Sequence, residues 1–149
     1  MIASEFMTSN VISCRKNQTV GEAAKIMLEK GFSVMPITDE NDSLVGVITE
    51  SDFIGKMVDV PHAMASVKQL LGQTFNCKDI ESVYSQAKTK QLSDVMTKDP
   101  VTISPSTSLT DIVELMVSKN LKRLLVMKDE RIVGIITRKD LLKAFNLVQ

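Results

Sequence analysis

Apolar residues recur at helical spacing in two separate stretches, and the two match. Val20, Ala23, Ala24, Met27 and Leu28 form one stripe, and Leu109, Ile112, Val113, Met116 and Val117 form the other. Each stripe follows a hydroxyl residue with an acid three positions on, Thr19 with Glu22 and Ser108 with Asp111. That arrangement predicts a capping box at a helix start. Each stripe stops at a residue type that accepts left-handed backbone, Gly31 or Asn120. Two strands are predicted after each helix: Val34 to Thr38 with one ending at Thr49, and Arg123 to Met127 with one ending at Thr137. The turns between them, Asp39 to Ser43 and Lys128 to Glu130, are short enough for antiparallel hairpins. Short extended stretches precede the helices, Val11 to Cys14 and Val101 to Ile103, and a last helix closes each copy. The pattern is β-α-β-β-α, written twice.

The repeat extends to residue identity. Ser4-Glu5-Phe6-Met7-Thr8 returns 89 positions later as Ser93-Asp94-Val95-Met96-Thr97. One residue is lost in the turn around Asn41 and Asp42, so Val45-Gly46-Val47-Ile48-Thr49 returns 88 positions later as Val133-Gly134-Ile135-Ile136-Thr137. Asp52 likewise returns as Asp140. The expected organisation is a first repeat at 1–57, a connecting insert at 58–92 and a second repeat at 93–149. One such unit buries little surface by itself. Two packed about a pseudo-twofold axis would bury both apolar faces, giving a mixed α/β (α+β) fold with a helical insert.

The Thr-x-x-Asp element sits where a strand turns into a helix in each copy. Thr49 with Asp52, and Thr137 with Asp140, read as N-cap and third helical residue. One meaning is purely local: a capping box with Asp in the Glu position, worth about 1 kcal/mol. The other is chemical. A helix start offers unpaired N–H groups and a positive dipole end to a phosphate, and the carboxylate can accept bonds from two ribose hydroxyls. The residues alone leave both open.

Gly46-Val47-Ile48-Thr49-x-x-Asp52 and Gly134-Ile135-Ile136-Thr137-x-x-Asp140 close their copies, and Met7-Thr8 and Met96-Thr97 open them. Together these resemble a tandem pair of CBS domains, the Bateman module, over about 4–57 and 93–146. The resemblance implies a regulatory module with no catalytic role. It implies adenosine-containing ligands (AMP, ADP, ATP or S-adenosylmethionine) in clefts between the repeats, with no covalent cofactor. It also implies a homodimer and an unknown regulated protein. Adenine would lie on Ile12, Ser13 and Cys14 or on Val101, Thr102 and Ile103, with Pro36 and Leu125 from the middle strands. Lys122 or Arg123, opening a middle strand, would reach phosphate in the cleft whose ribose acceptor is Asp52. Arg138, beside Lys139, would serve the cleft built on Asp140. The first copy has Val11 where the second has Pro100, and no cations at the matching positions, so the two clefts are expected to be unequal. The alternative is a ligand-free interaction or dimerisation module in which Thr-x-x-Asp is only a cap.

The rest of the chain narrows the choice. Apolar residues are 44% and charged residues 24% of 149, and 18 Lys and Arg balance 18 Asp and Glu. Without a basic excess, no nucleic-acid or acidic-membrane partner is expected. No apolar run nears the roughly 20 residues needed to span a bilayer, and no secretory signal is evident, so a cytoplasmic location is expected. Cys14 and Cys77 form no CxxC and read as free thiols. His62, the only histidine, has no partner at metal-ligand spacing. In the insert, Pro61 opens a predicted helix carrying Met64, Val67, Leu70 and Leu71, and Ile80, Val83, Tyr84 and Ala87 mark another. No nucleophile elbow, glycine-rich phosphate loop or metal cluster is present in the sequence.

Overall fold

The computed structural model describes residues 1–53 and 77–149. The predicted helix opened by Pro61 and the lone histidine, His62, lie outside the described residues. Two small sheets with flanking helices make a mixed α+β chain. It divides into two compact units: one of Ser13–Asp39 with Val45–Lys98, the other of Met1–Ile12, Glu40–Leu44 and Asp99–Gln149.

The first of these units carries a four-stranded sheet in the order β1-β2-β3-β4: β1 (Cys14–Arg15), β2 (Val34–Thr38), β3 (Leu44–Thr49) and β4 (Thr97–Lys98). β1 runs parallel to β2, with Cys14 opposite Ile37. The first strand is shorter and later than the predicted Val11 to Cys14: Ile12 and Ser13 are exposed and precede it. Helix α2 (Val20–Lys30) follows α1 (Ala3–Phe6) in chain order. The α2 start is capped as predicted, with the Glu22 N–H donating to Thr19 Oγ1 at 3.2 Å and the Thr19 N–H donating to Glu22 at 2.9 Å. It ends at Gly31, whose φ of 68° is the left-handed conformation that favours glycine. Every residue of β2 is buried. Met27, Met35, Ile37, Ile48 and Leu92 form the core.

The predicted helix at Ile80 to Ala87 is present as α3 (Cys77–Ala87). Ala87 enters that core, and the N–H groups of Val20 and Gly21 at the start of α2 donate to the carbonyls of Lys90 and Lys88. This part of the insert therefore satisfies helix-start donors that have no partner inside α2. The last helix predicted for the first repeat begins as a single 3-10 turn, Glu50–Phe53, and Tyr84 Oη donates to the Phe53 carbonyl at 2.8 Å.

The other unit carries a three-stranded sheet in the order β5-β6-β7: β5 (Thr102–Ile103), β6 (Arg123–Lys128) and β7 (Arg131–Thr137). β5 is parallel to β6, and β6 and β7 form the predicted antiparallel hairpin, with a register shift between Val126 and Met127. Helix α5 (Leu109–Ser118) follows the short α4 (Leu92–Val95), and α6 (Arg138–Leu147) closes the chain. Asn120 takes the left-handed φ of 50° after α5. Phe6, Ile112, Leu124, Val126 and Ile136 centre the core.

The opening segments are exchanged. Thr8 bridges Ile135 of the second repeat, and the Ala3 N–H donates to the Thr107 carbonyl at 2.9 Å. Thr97 pairs with Val47 of the first repeat, and the Leu92 N–H donates to the Gln18 carbonyl at 2.9 Å. Each Met-Thr segment thus completes the sheet of the other repeat. Gly134 and Gly46 receive it. A Cβ on Gly134 would lie 2.9 Å from Met7 Cγ, and one on Gly46 would lie 2.7 Å from Met96 Sδ and 2.8 Å from the Thr97 carbonyl oxygen. These are closer than packed atoms tolerate, so the motif glycine is a seat for the methionine.

Candidate functional site

The two strand-to-turn junctions share one geometry. In the first repeat the Thr49 N–H donates to Asp52 Oδ2 at 2.8 Å, Thr49 Oγ1 donates to the same oxygen at 3.3 Å, and Ser51 Oγ lies 3.0 Å from Thr49 Oγ1. In the second, the Thr137 N–H and Oγ1 donate to Asp140 Oδ2 at 2.8 and 2.9 Å. Each carboxylate thereby satisfies the backbone N–H of its cap residue.

The second junction goes further. Asp140 is 2% exposed. Its other oxygen, Oδ1, accepts from Thr8 Oγ1 at 2.8 Å and from Lys143 Nζ at 2.6 Å. Burial by itself pushes the Asp140 carboxyl up, but the bonds from Lys143, Thr137 and Thr8 outweigh it and hold the carboxyl below the ordinary aspartate value. Sequence reasoning missed both Thr8 and Lys143 as partners of Asp140. Lys143 was visible as a cation three residues on, one turn along the same helix face. Thr8 was visible only as half of a repeated Met-Thr pair.

The other candidates are distributed as follows. Arg123 stands opposite Thr137 in the β6–β7 ladder and is half-buried, whereas Lys122 precedes the strand and is exposed. Arg138 and Lys139 are exposed at the start of α6. Thr102 pairs with Leu125, so Thr102, Ile103 and Leu125 share one sheet, and Val101 precedes it with its carbonyl 3.4 Å from the Leu125 N–H. Cys14 and Pro36 are fully buried. The Cys14 carbonyl accepts from Thr38 Oγ1 at 3.5 Å. Burial, then the Glu22 charge, pushes the Cys14 thiol up, so it is protonated and unreactive at neutral pH. Ile12 and Ser13 are exposed.

One further concavity is apolar, about 400 Å³, and lined by Ala24, Met27, Leu28, Phe32 and Phe53 with Gly31 and Glu50. None of the sequence candidates lines it. Among the described residues there is no cluster of three metal-ligating side chains and no helix long and apolar enough to cross a membrane.

Comparison with known proteins agrees with this architecture. An inosine-5'-monophosphate dehydrogenase of Methanocaldococcus jannaschii is 34% identical over 95% of the chain, which spans 23% of that enzyme's length. The solved CBS domain of a CBS domain containing membrane protein from Sphaerobacter thermophilus is 33% identical, with a TM-score of 0.74 over 96% of this chain and 86% of that one. CBSX2 of Arabidopsis thaliana, a chloroplastic CBS domain-containing protein, is matched over 61% of its length. Its structure in complex with AMP is 25% identical, with a TM-score of 0.71 over 97% of this chain and 96% of that one. The CBS domain model matches residues 3–59 and 92–147. On two model matches, two Met-Thr segments and two Gly-x-x-Thr-x-x-Asp turns, the chain belongs to the CBS domain family.

Proposed function

We propose that the chain is a regulatory module that senses an adenosine-containing small molecule: AMP, ADP, ATP or S-adenosylmethionine. The observation that carries this reading is the junction at Thr49 and Asp52, a hydroxyl and a carboxylate held together at a strand-to-turn corner. It occurs in a chain similar over nearly its whole length to a protein solved with AMP. Asp52 is the ribose acceptor in this reading. Ser13, Cys14 and Pro36 of the same unit supply the adenine surface. Lys122, Arg123 and Arg138 are the phosphate donors in this reading. Ligand shifts the module between states only by its difference in affinity for them.

Isothermal calorimetry with each of the four compounds on nucleotide-stripped protein tests this. Heat with at least one, lost in Asp52→Ala, is the expected result. No heat with any of them sinks it.

The module also presents exposed apolar side chains on its helices, Leu28 at 85%, Val117 at 75% and Phe145 at 78% exposure. They support a homodimer, which sedimentation equilibrium of the intact chain and of Phe145→Glu would read directly. The saturated Asp140 favours a second reading, in which the turns are caps only and the chain is an interaction module. That reading predicts that no adenosine compound raises the melting temperature.

A further inference from the structure

The turn that carries Asp52 is a single 3-10 helix, Glu50–Phe53. Turns of this kind are short and their hydrogen bonds poorly aligned, so they hold a side chain in place best with outside support. Two groups of the same compact unit supply it. At the start of the turn the Glu50 N–H donates to the Ser33 carbonyl at 3.2 Å, one residue before β2. At its end, one residue past Asp52, the Phe53 carbonyl accepts from Tyr84 Oη at 2.8 Å across 31 residues of sequence. A carbonyl at the end of a turn has no partner within it, and the phenol hydroxyl gives it one. Tyr84 is itself firmly placed on α3. Ala87 of that helix enters the core, and the carbonyls of Lys88 and Lys90 just beyond it accept from the Gly21 and Val20 N–H groups at 3.1 and 2.9 Å. Tyr84 is 38% exposed, so Phe in its place removes the tether without opening a cavity.

We propose that Tyr84 is the positioning residue of the Asp52 turn. Its hydroxyl pins the peptide that follows Asp52, and the pinned turn holds the carboxylate where Thr49 bonds it and where a ribose meets it. The tether belongs to the insert, so α3 and the turn are coupled in both directions. Ligand on Asp52 is felt at Tyr84, and whatever shifts α3 alters affinity at Asp52. This rests on the reading of the module as an adenosine sensor with Asp52 as ribose acceptor.

Calorimetry with AMP, ADP, ATP and S-adenosylmethionine, with amide hydrogen exchange, on the intact chain and Tyr84→Phe tests it. Tyr84→Phe is expected to weaken binding about two- to tenfold, the range one hydrogen bond supplies. The Thr49 N–H, bonded to Asp52 Oδ2, is expected to exchange about threefold faster or more in the variant. The Thr137 N–H, bonded to Asp140 in the same way, is expected to keep its rate. General destabilisation would speed both, so equal acceleration of the two overturns the proposal, as does an unmoved Thr49 or an unchanged affinity. Tyr84 is the only tyrosine, so a ring-carbon label gives a single signal in the intact chain, with no variant needed. Saturating ligand is expected to shift that signal, and an unmoved signal overturns the coupling. If no compound binds the intact chain, the sensor reading fails, and Thr49 exchange alone decides whether Tyr84 positions the turn.

Discussion

Thr8 Oγ1 donates a 2.8 Å hydrogen bond to the Asp140 carboxylate across 132 residues of sequence. The threonine belongs to the opening motif of one repeat and the aspartate to the closing motif of the other. The two signatures by which the family is recognised are therefore halves of one contact, made crosswise. The same holds for packing, where Met7 of the first opening lies against Gly134 of the second closing.

Removing that donor has a bounded cost. Thr8→Val keeps the shape and leaves Asp140 with three other donors, so the loss is about 1.5 to 3 kcal/mol, the range for a bond to a charged acceptor. For a domain of this size that lowers the melting temperature by about 3 to 12 °C. Thr8→Ser, which keeps the hydroxyl, is expected to recover most of it. Differential scanning calorimetry of the three proteins reads both, and equal melting of Thr8→Val and wild type would remove the contact from any account of stability.

The two motif glycines are predicted to differ in sensitivity. At Gly134 an added Cβ meets only the Met7 side chain, which can swing away. At Gly46 it also meets the Thr97 carbonyl oxygen at 2.8 Å, which is backbone. Gly46→Ala is expected to cost about 2 to 3 kcal/mol and Gly134→Ala about 1, the range for overpacking a core. Met7→Ala in the Gly134→Ala background is expected to restore part of the loss. Urea unfolding of each variant gives the order, and the reverse order would contradict the geometry at Thr97.

The Asp140 carboxyl is held below its ordinary value despite burial, by Lys143, Thr137 and Thr8. A carboxyl with a lowered folded pKa adds stability that is fully present above the unfolded value, about 3.9, and is lost as pH falls through the folded value. The stability gap between wild type and Asp140→Asn should be constant from pH 7 to about pH 5 and should shrink below about pH 4. Because Lys143 is half exposed, salt screens its share, and the gap should also narrow in high salt. Denaturant melts across this pH range check the sign, and a gap that widens on acidification would reverse the assignment.

What the sequence determined by itself is what neighbours decide. The Thr19–Glu22 box, the left-handed ends at Gly31 and Asn120, the β6–β7 hairpin and the helix at Ile80 to Ala87 all follow from contacts within a few residues, where periodicity and capping chemistry act. The Thr-x-x-Asp corner was legible for the same reason, since Thr137 and Asp140 are three apart. Where a strand began was less so: β1 starts at Cys14 and leaves Ile12 and Ser13 outside it, because two-residue strands take their bounds from the partner strand. Tertiary structure alone decided which sheet each Met-Thr segment joins. Gly46 and Gly134 present the same seat, and Met7 and Met96 are the same knob, so the local pattern is identical for either pairing. Only the folded chain shows Met7-Thr8 at Gly134 and Asp140, and Met96-Thr97 at Gly46 and Val47. That choice is also what fills the fourth bond of Asp140, because the donor comes from residue 8 and not from the repeat that carries the acid.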